Sequence, residues 1–98
     1  MTGHASAADK HEAHAYAERI RERLPRRLQE LREQAGMSMY ALWMKCGVSR
    51  DMISRIEGGE SIPTLHTAAR LAHGVEVTLT EFVEPMEDGE QDGETRGL

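Results

Sequence analysis

The sequence predicts an all-α fold, and three observations predict it. Apolar residues recur three and four apart along most of the chain, the spacing that gathers them on one side of a helix. Residues that start helices stand where these runs begin: Ser38, Ser49, Thr64 and Thr78, whose hydroxyls can accept a free N–H of an opening turn. Residues 37–59, MSMYALWMKCGVSRDMISRIEGG, read as two short helices joined by a tight turn.

Taken in order, residues 1–8 are small and polar and are expected to be disordered. From Asp9 to Leu24 the pattern is helical, with Ala13, Tyr16, Ala17, Ile20 and Leu24 in one apolar stripe that needs a surface to pack on. Pro25 cannot continue the backbone ladder, so it kinks this helix or opens a new one. Leu28, Leu31 and Ala35 carry the next helix, and Gly36 ends it. In the central stretch Ser38 caps the first helix, Leu42 and Cys46 share its inner face, and Gly47 stops it, where a residue without Cβ can sit left-handed. Val48 plugs the turn and Ser49 caps the second helix, whose Ile53 and Ile56 point inward while Arg50, Asp51, Ser54 and Arg55 point out. Two helices, a turn with Gly and a polar outer face on the second helix make a helix-turn-helix pattern.

A loop follows over residues 58–63. Thr64 caps a fourth helix expected to turn Leu65, Ala68, Ala69, Leu71 and Ala72 to the core and to end near His73-Gly74. Thr78 and Glu81 have the spacing of a capping box and open a last short helix with Leu79, Phe82 and Val83, expected to end before Pro85. Residues 86–98 have almost no apolar content and are expected to be disordered. The chain divides into an N-terminal arm with an extra helix (1–25), a helix-turn-helix domain (26–84) and an acidic tail (85–98).

Composition narrows the function classes. Ninety-eight residues allow one small core. No apolar run approaches a membrane span, and the N-terminus lacks the basic and apolar regions of a signal peptide. One cysteine excludes an internal disulfide and agrees with a cytoplasmic setting. The net charge is −5, but the excess acid is all in residues 84–98, with six acids and one Arg; residues 26–83 hold seven basic and seven acidic residues. A neutral body departs from the basic footprint of most DNA binders.

Residues 28–83 as a whole resemble the lambda-repressor/Cro-like (xenobiotic-response-element) helix-turn-helix family. The resemblance is carried by Leu28-Gln-Glu-Leu31-Arg32, Gly36-Met-Ser38, Leu42, Gly47-Val48-Ser49, Ile53-Ser54-Arg55-Ile56-Glu57, Gly59, Pro63-Thr64-Leu65, Leu71-Ala72 and Val77-Thr78-Leu79-Thr80-Glu81-Phe82. It implies a compact five-helix, lambda-repressor-like DNA-binding domain, here with an additional N-terminal helix and a disordered acidic tail. It also implies a dimeric, cytoplasmic transcriptional regulator of bacterial or phage type, acting on double-stranded DNA at a palindromic operator. Arg32 and Glu57 are implied to form a partly buried structural ion pair. Four positions depart from the family: Trp43, where Ala is usual, must swing outward or alter the helix crossing; Met39 replaces a common phosphate-contacting Gln and Glu60 a basic residue; and Glu76 stands where Gly often follows the fourth helix.

On this reading the second motif helix, residues 49–57, enters the major groove, and Arg50, Asp51, Ser54 and Arg55 contact bases. Arginine can give two hydrogen bonds to guanine, and Asp can accept from cytosine. Phosphates are expected at Ser38, Met39, Ser49, Gly59, Ser61 and Thr64, from helix N-termini, loop N–H groups and hydroxyls. The acidic tail would compete with phosphate for the same basic groups. A different function class rests on Met39, Tyr40 and Met44, an apolar outer face that suits a protein partner, as in an antitoxin or regulatory subunit.

No cofactor, metal or catalytic residue is expected. His11-Glu12-Ala13-His14 is one residue short of a zinc motif, and His66 and His73 read as solvated. The tail lacks calcium-loop spacing, and Cys46 lies on a core face, which suits an inert thiol.

Overall fold

The structure, a computed structural model, describes the backbone of residues 7–95 and the side chains of residues 9–87. Five helices follow one another: α1 (Ala7–Gln34), α2 (Met39–Cys46), α3 (Arg50–Glu57), α4 (Leu65–Gly74) and α5 (Leu79–Thr95). No strand occurs among the described residues. Leu28, Leu42, Ile53, Ile56, Leu71 and Phe82 are the large side chains sealed inside. They come from all five helices, so each helix contributes to one core. α1 packs on α3 and α5, α2 packs on α3 and α4, and α4 closes against α5.

The cap residues act as their types require. Ser38 Oγ accepts from Ala41 N–H at 3.0 Å, Ser49 Oγ from Met52 N–H at 3.0 Å, and Thr64 Oγ1 from Thr67 N–H at 3.0 Å. Thr78 and Glu81 bond reciprocally: Thr78 N–H donates to Glu81 Oε1 at 2.8 Å and Glu81 N–H to Thr78 Oγ1 at 3.0 Å. Each satisfies donors the opening turn would leave unpaired.

Two prolines lie inside helices rather than at their ends. Pro25 lies inside α1, so the extra N-terminal helix and the first helix of the domain are one element of 28 residues. Leu24, Leu28 and Leu31 are buried on both sides of Pro25, and that shared packing keeps the helix continuous across it. The outer turns do not share it: Ala13, Tyr16 and Ala17 of the expected stripe are exposed, Ile20 is half-buried, and only Leu24 is buried.

Pro85 lies inside α5, which continues where an end was expected. A proline there deprives the Glu81 carbonyl of its ladder donor. Arg27 of α1 supplies a replacement, donating from Nη2 to Glu81 O at 2.6 Å and from Nε to Phe82 O at 2.9 Å. Arg23 Nη1 donates to Met86 O, and the Met86 side chain is buried. Tyr16 Oη adds a bond to Glu87 Oε1 at 2.9 Å. Most side chains of the acidic tail, from residue 88 onward, and most of the small polar N-terminus lie outside the described residues.

The fourth helix is also corrected in part. Ala68, Leu71 and Ala72 are buried, but Ala69 is exposed and Leu65 is 73% exposed. Leu65 is the first residue of α4 and projects past the core, and Ala69 is on the flank. Leu65 and Ile62 instead edge a shallow apolar groove of about 360 Å³ floored by Ile20, Leu24, Phe82 and Val83.

After α4, Val75 is buried and Glu76 is left-handed with φ 70°. A residue with a Cβ is strained there by roughly 1–2 kcal/mol. Its carboxylate pairs with Lys45 of α2, whose ammonium donates to it and holds the Glu76 carboxyl below its ordinary value. The pair is exposed and screened, so the strain outweighs it. Glu76→Gly is expected to raise Tm by about 2–5 °C in a calorimetric scan; a lower Tm would show that the ion pair matters more than the backbone.

Candidate nucleic-acid interface

The helix-turn-helix is built by local signals and fixed by long-range ones. Gly47 sits at φ 78°, and its N–H donates to Trp43 O at 2.8 Å, closing α2. Val48 is buried beneath the turn. From the other side Arg70 Nε donates to Cys46 O at 3.1 Å, so α4 holds the last carbonyl of α2. No local sequence signal marks Arg70 for this role, because its partner lies 24 positions away. Gly74 of α4 meets α2 so closely that a Cβ there would come within 2.6 Å of Leu42 Cδ1.

The far end of α3 is anchored by the implied ion pair. Arg32 Nε donates to Glu57 Oε2 at 2.7 Å and Nη2 to Glu57 Oε1 at 2.9 Å, a two-pronged contact. A third donor, Nη1, reaches Met37 O at 2.8 Å. The side chains are 12% and 6% exposed. The Glu57 bond holds the Arg32 guanidinium above its ordinary pKa. One salt bridge therefore ties α1, the α1–α2 turn and the C-terminal end of α3.

With Ile53 and Ile56 turned in, Arg50, Asp51, Ser54 and Arg55 share the exposed side of α3. The two arginines differ in their surroundings. Arg55 Nε donates to Asp51 Oδ2 at 2.9 Å, one turn back on the same helix. The Arg50 guanidinium stands over the Tyr40 ring of α2, 6.0 Å from its centroid.

The residues expected at phosphates fall into two groups. Ser38, Ser49 and Thr64 stand at helix N-termini with hydroxyls already accepting cap bonds, and Thr64 Oγ1 also donates to Thr67 Oγ1 at 3.1 Å. In the loop after α3 the N–H groups point inward: Gly59 N–H donates to Ile56 O at 3.1 Å and Ser61 N–H to Arg55 O at 3.3 Å. They serve as the C-terminal cap of α3.

The apolar outer face of α2 is real but shifted. Met39 is half-buried against the core. The exposed members are Tyr40, Trp43 and Met44, at 53%, 37% and 62%. Trp43 swings outward and meets Tyr40 edge-on, with centroids 5.4 Å apart and planes at 83°. Among the described residues no group of three or more His, Cys, Asp or Glu is arranged to hold a metal ion, and no helix is long and apolar enough to cross a membrane.

Capped helices, a left-handed glycine turn and an outward polar face on α3 together define a helix-turn-helix domain. The chain belongs to the Cro/C1-type helix-turn-helix family HTH_3, whose model matches residues 28–82. It is 40% identical over 58 residues to the HTH-type transcriptional regulator SutR of Escherichia coli (strain K12), a match covering 59% of this chain and 33% of SutR. Among solved structures it is similar to an HTH_3 family transcriptional regulator from Vibrio cholerae, with a TM-score of 0.61, 35% identity and coverage of 64% of this chain and 35% of that one. The chain spans about a third of the length of each relative.

Proposed function

We propose that this protein is a sequence-specific DNA-binding transcriptional regulator that inserts α3 into the major groove and acts as a dimer on a palindromic operator. The observation that carries this reading is the exposed face of α3. It presents Arg50, Asp51, Ser54 and Arg55 on a helix held at its start by Ser49 and at its end by Arg32 and Glu57. The named relatives, both transcriptional regulators, agree with it.

Base contacts fall to Arg50 and Ser54 directly, and to Arg55 once it exchanges Asp51 for a base edge. Phosphate contacts fall to the N-terminal turns of α2 and α3 at Ser38 and Ser49, to the Ser61 hydroxyl, and to the Thr64 hydroxyl once it turns its hydrogen away from Thr67. The Gly59 N–H is engaged within the protein, so that residue serves the phosphate by close approach of its backbone. Grip from basic residues is thin, since Glu60 is acidic and Met39 is half-buried. Affinity therefore leans more on the base contacts of α3 than on the phosphates.

The test is selection of random duplex DNA, followed by binding of variants to the enriched site. Arg50→Ala is expected to weaken binding by about 1–3 kcal/mol and to relax preference at one base pair, the size of a two-pronged arginine–guanine contact. A pool that yields no enriched sequence would overturn the reading. The exposed Tyr40, Trp43 and Met44 would then favour the second one, a protein-interaction module of the same fold.

A further inference from the structure

What the aromatic pair on α2 does rests on the DNA-reading role of α3. Side chains on a helix lean toward its N-terminus. Arg50, the first residue of α3, therefore leans back over the turn toward α2 rather than along its own helix. There it meets the face of Tyr40, 6.0 Å from guanidinium carbon to ring centroid. Tyr40 is in turn met edge-on by Trp43 one turn later on α2. The three side chains form a short row along the outer edge of the motif, all exposed.

A ring face and a carboxylate hold an arginine in different ways. Asp51 holds Arg55 by accepting from its Nε, so that donor must be released before Arg55 can give it to a base. Tyr40 holds Arg50 by its π-face and accepts no N–H. No hydrogen bond occupies the Arg50 guanidinium among the described residues. Its five donors remain available in their planar fork. An exposed cation–π contact is worth a factor of roughly two to five, and more once water is excluded by a bound duplex. An arginine braced in this way loses less side-chain freedom when it docks.

We propose that Tyr40, braced by Trp43, is the positioning residue for Arg50, making Arg50 the principal guanine-reading side chain of α3. Tyr40 acts through Arg50 and does not itself read the sequence. This also accounts for Trp43: turned outward, it packs on the ring that steadies the reading arginine.

The experiment is a double-mutant cycle on the full chain, using the duplex enriched from a randomised pool and its single-base variants. Tyr40→Leu is expected to lose about twofold to tenfold in affinity and to relax preference at the same base pair as Arg50→Ala. In the Arg50→Ala background it is expected to have no further effect. Tyr40→Phe, which keeps the ring, is expected to bind as wild type. Thermal melts check folding; should Tyr40→Leu melt early, Tyr40→Gln carries the same test. Wild-type binding by Tyr40→Leu overturns the brace and leaves the DNA-reading role standing. So does an equal loss with and without Arg50, which would mean that Tyr40 contacts DNA itself. Unchanged base preference in Arg50→Ala overturns the proposal, because Arg50 is then not the principal reader, whereas only a pool with no enriched sequence overturns the DNA-reading role itself.

Discussion

Replacing Glu57 by Ala is expected to destabilise the fold by about 3–5 kcal/mol, the usual result of stranding one partner of a buried ion pair. Glu57 is 6% exposed and Arg32 12%, so little water reaches the guanidinium to compensate. Two of the three Arg32 donor groups with partners would lose them, leaving only the bond from Nη1 to Met37 O. The loss would be felt at three places, because this arginine joins α1, the turn after it and the end of α3. Removing both charges is a different matter: Arg32→Met with Glu57→Leu is expected to recover most of the stability, since neither residue then buries an unpaired charge. Urea denaturation of the single and double variants measures both numbers. A single variant within 1 kcal/mol of wild type would show that solvent screens the pair.

The second large effect is expected at Gly74. A Cβ there would lie 2.6 Å from Leu42 Cδ1 and 2.9 Å from Cys46 Cβ. Leu42 is fully buried and cannot swing away into solvent. Gly74 itself has no positive φ, so the backbone would accept other residues and the obstacle is packing alone. Gly74→Val is expected to cost about 3 kcal/mol, the upper part of the range for overpacked cores, with Gly74→Ala between it and wild type. The measurement is again urea denaturation. If the two variants fall in the opposite order, or neither moves the midpoint, α2 and α4 are not in this close contact.

How much of this was legible in the sequence depends on how far each cause reaches along the chain. The caps at Ser38, Ser49, Thr64 and Thr78 and the stop at Gly47 act over three or four residues, and reading them locally places the helix starts and the turn. Ile53 and Ile56 inside and Arg50, Asp51, Ser54 and Arg55 outside follow from helical spacing alone. The Arg32–Glu57 pair spans 25 positions, and only the family resemblance points to it. What was missed depends on distant partners. Pro85 reads as a stop until Arg27, 54 positions from Glu81, is seen to supply the lost donor. Leu65 and Ala69 have core-like spacing, but where a helix begins relative to its neighbours decides whether its first turn is covered. The sequence pattern puts Met39 on the outer face of α2, yet it lies half-buried against the core. The contact of Arg50 with Tyr40 depends on the angle between α2 and α3, which no local pattern specifies.

The arginine that mends α5 has a consequence for how the molecule opens. A helix end usually frays alone, losing one ladder bond at a time. Here the Glu81 and Phe82 carbonyls before Pro85 accept from Arg27 of α1, the Met86 carbonyl after it accepts from Arg23, and Tyr16 ties Glu87 to the same helix. Residues 16–27 and 81–87, far apart in the chain, are thereby joined into one cooperative unit. Amide exchange in that part of α5 should follow the opening of α1, and the two segments should lose protection together.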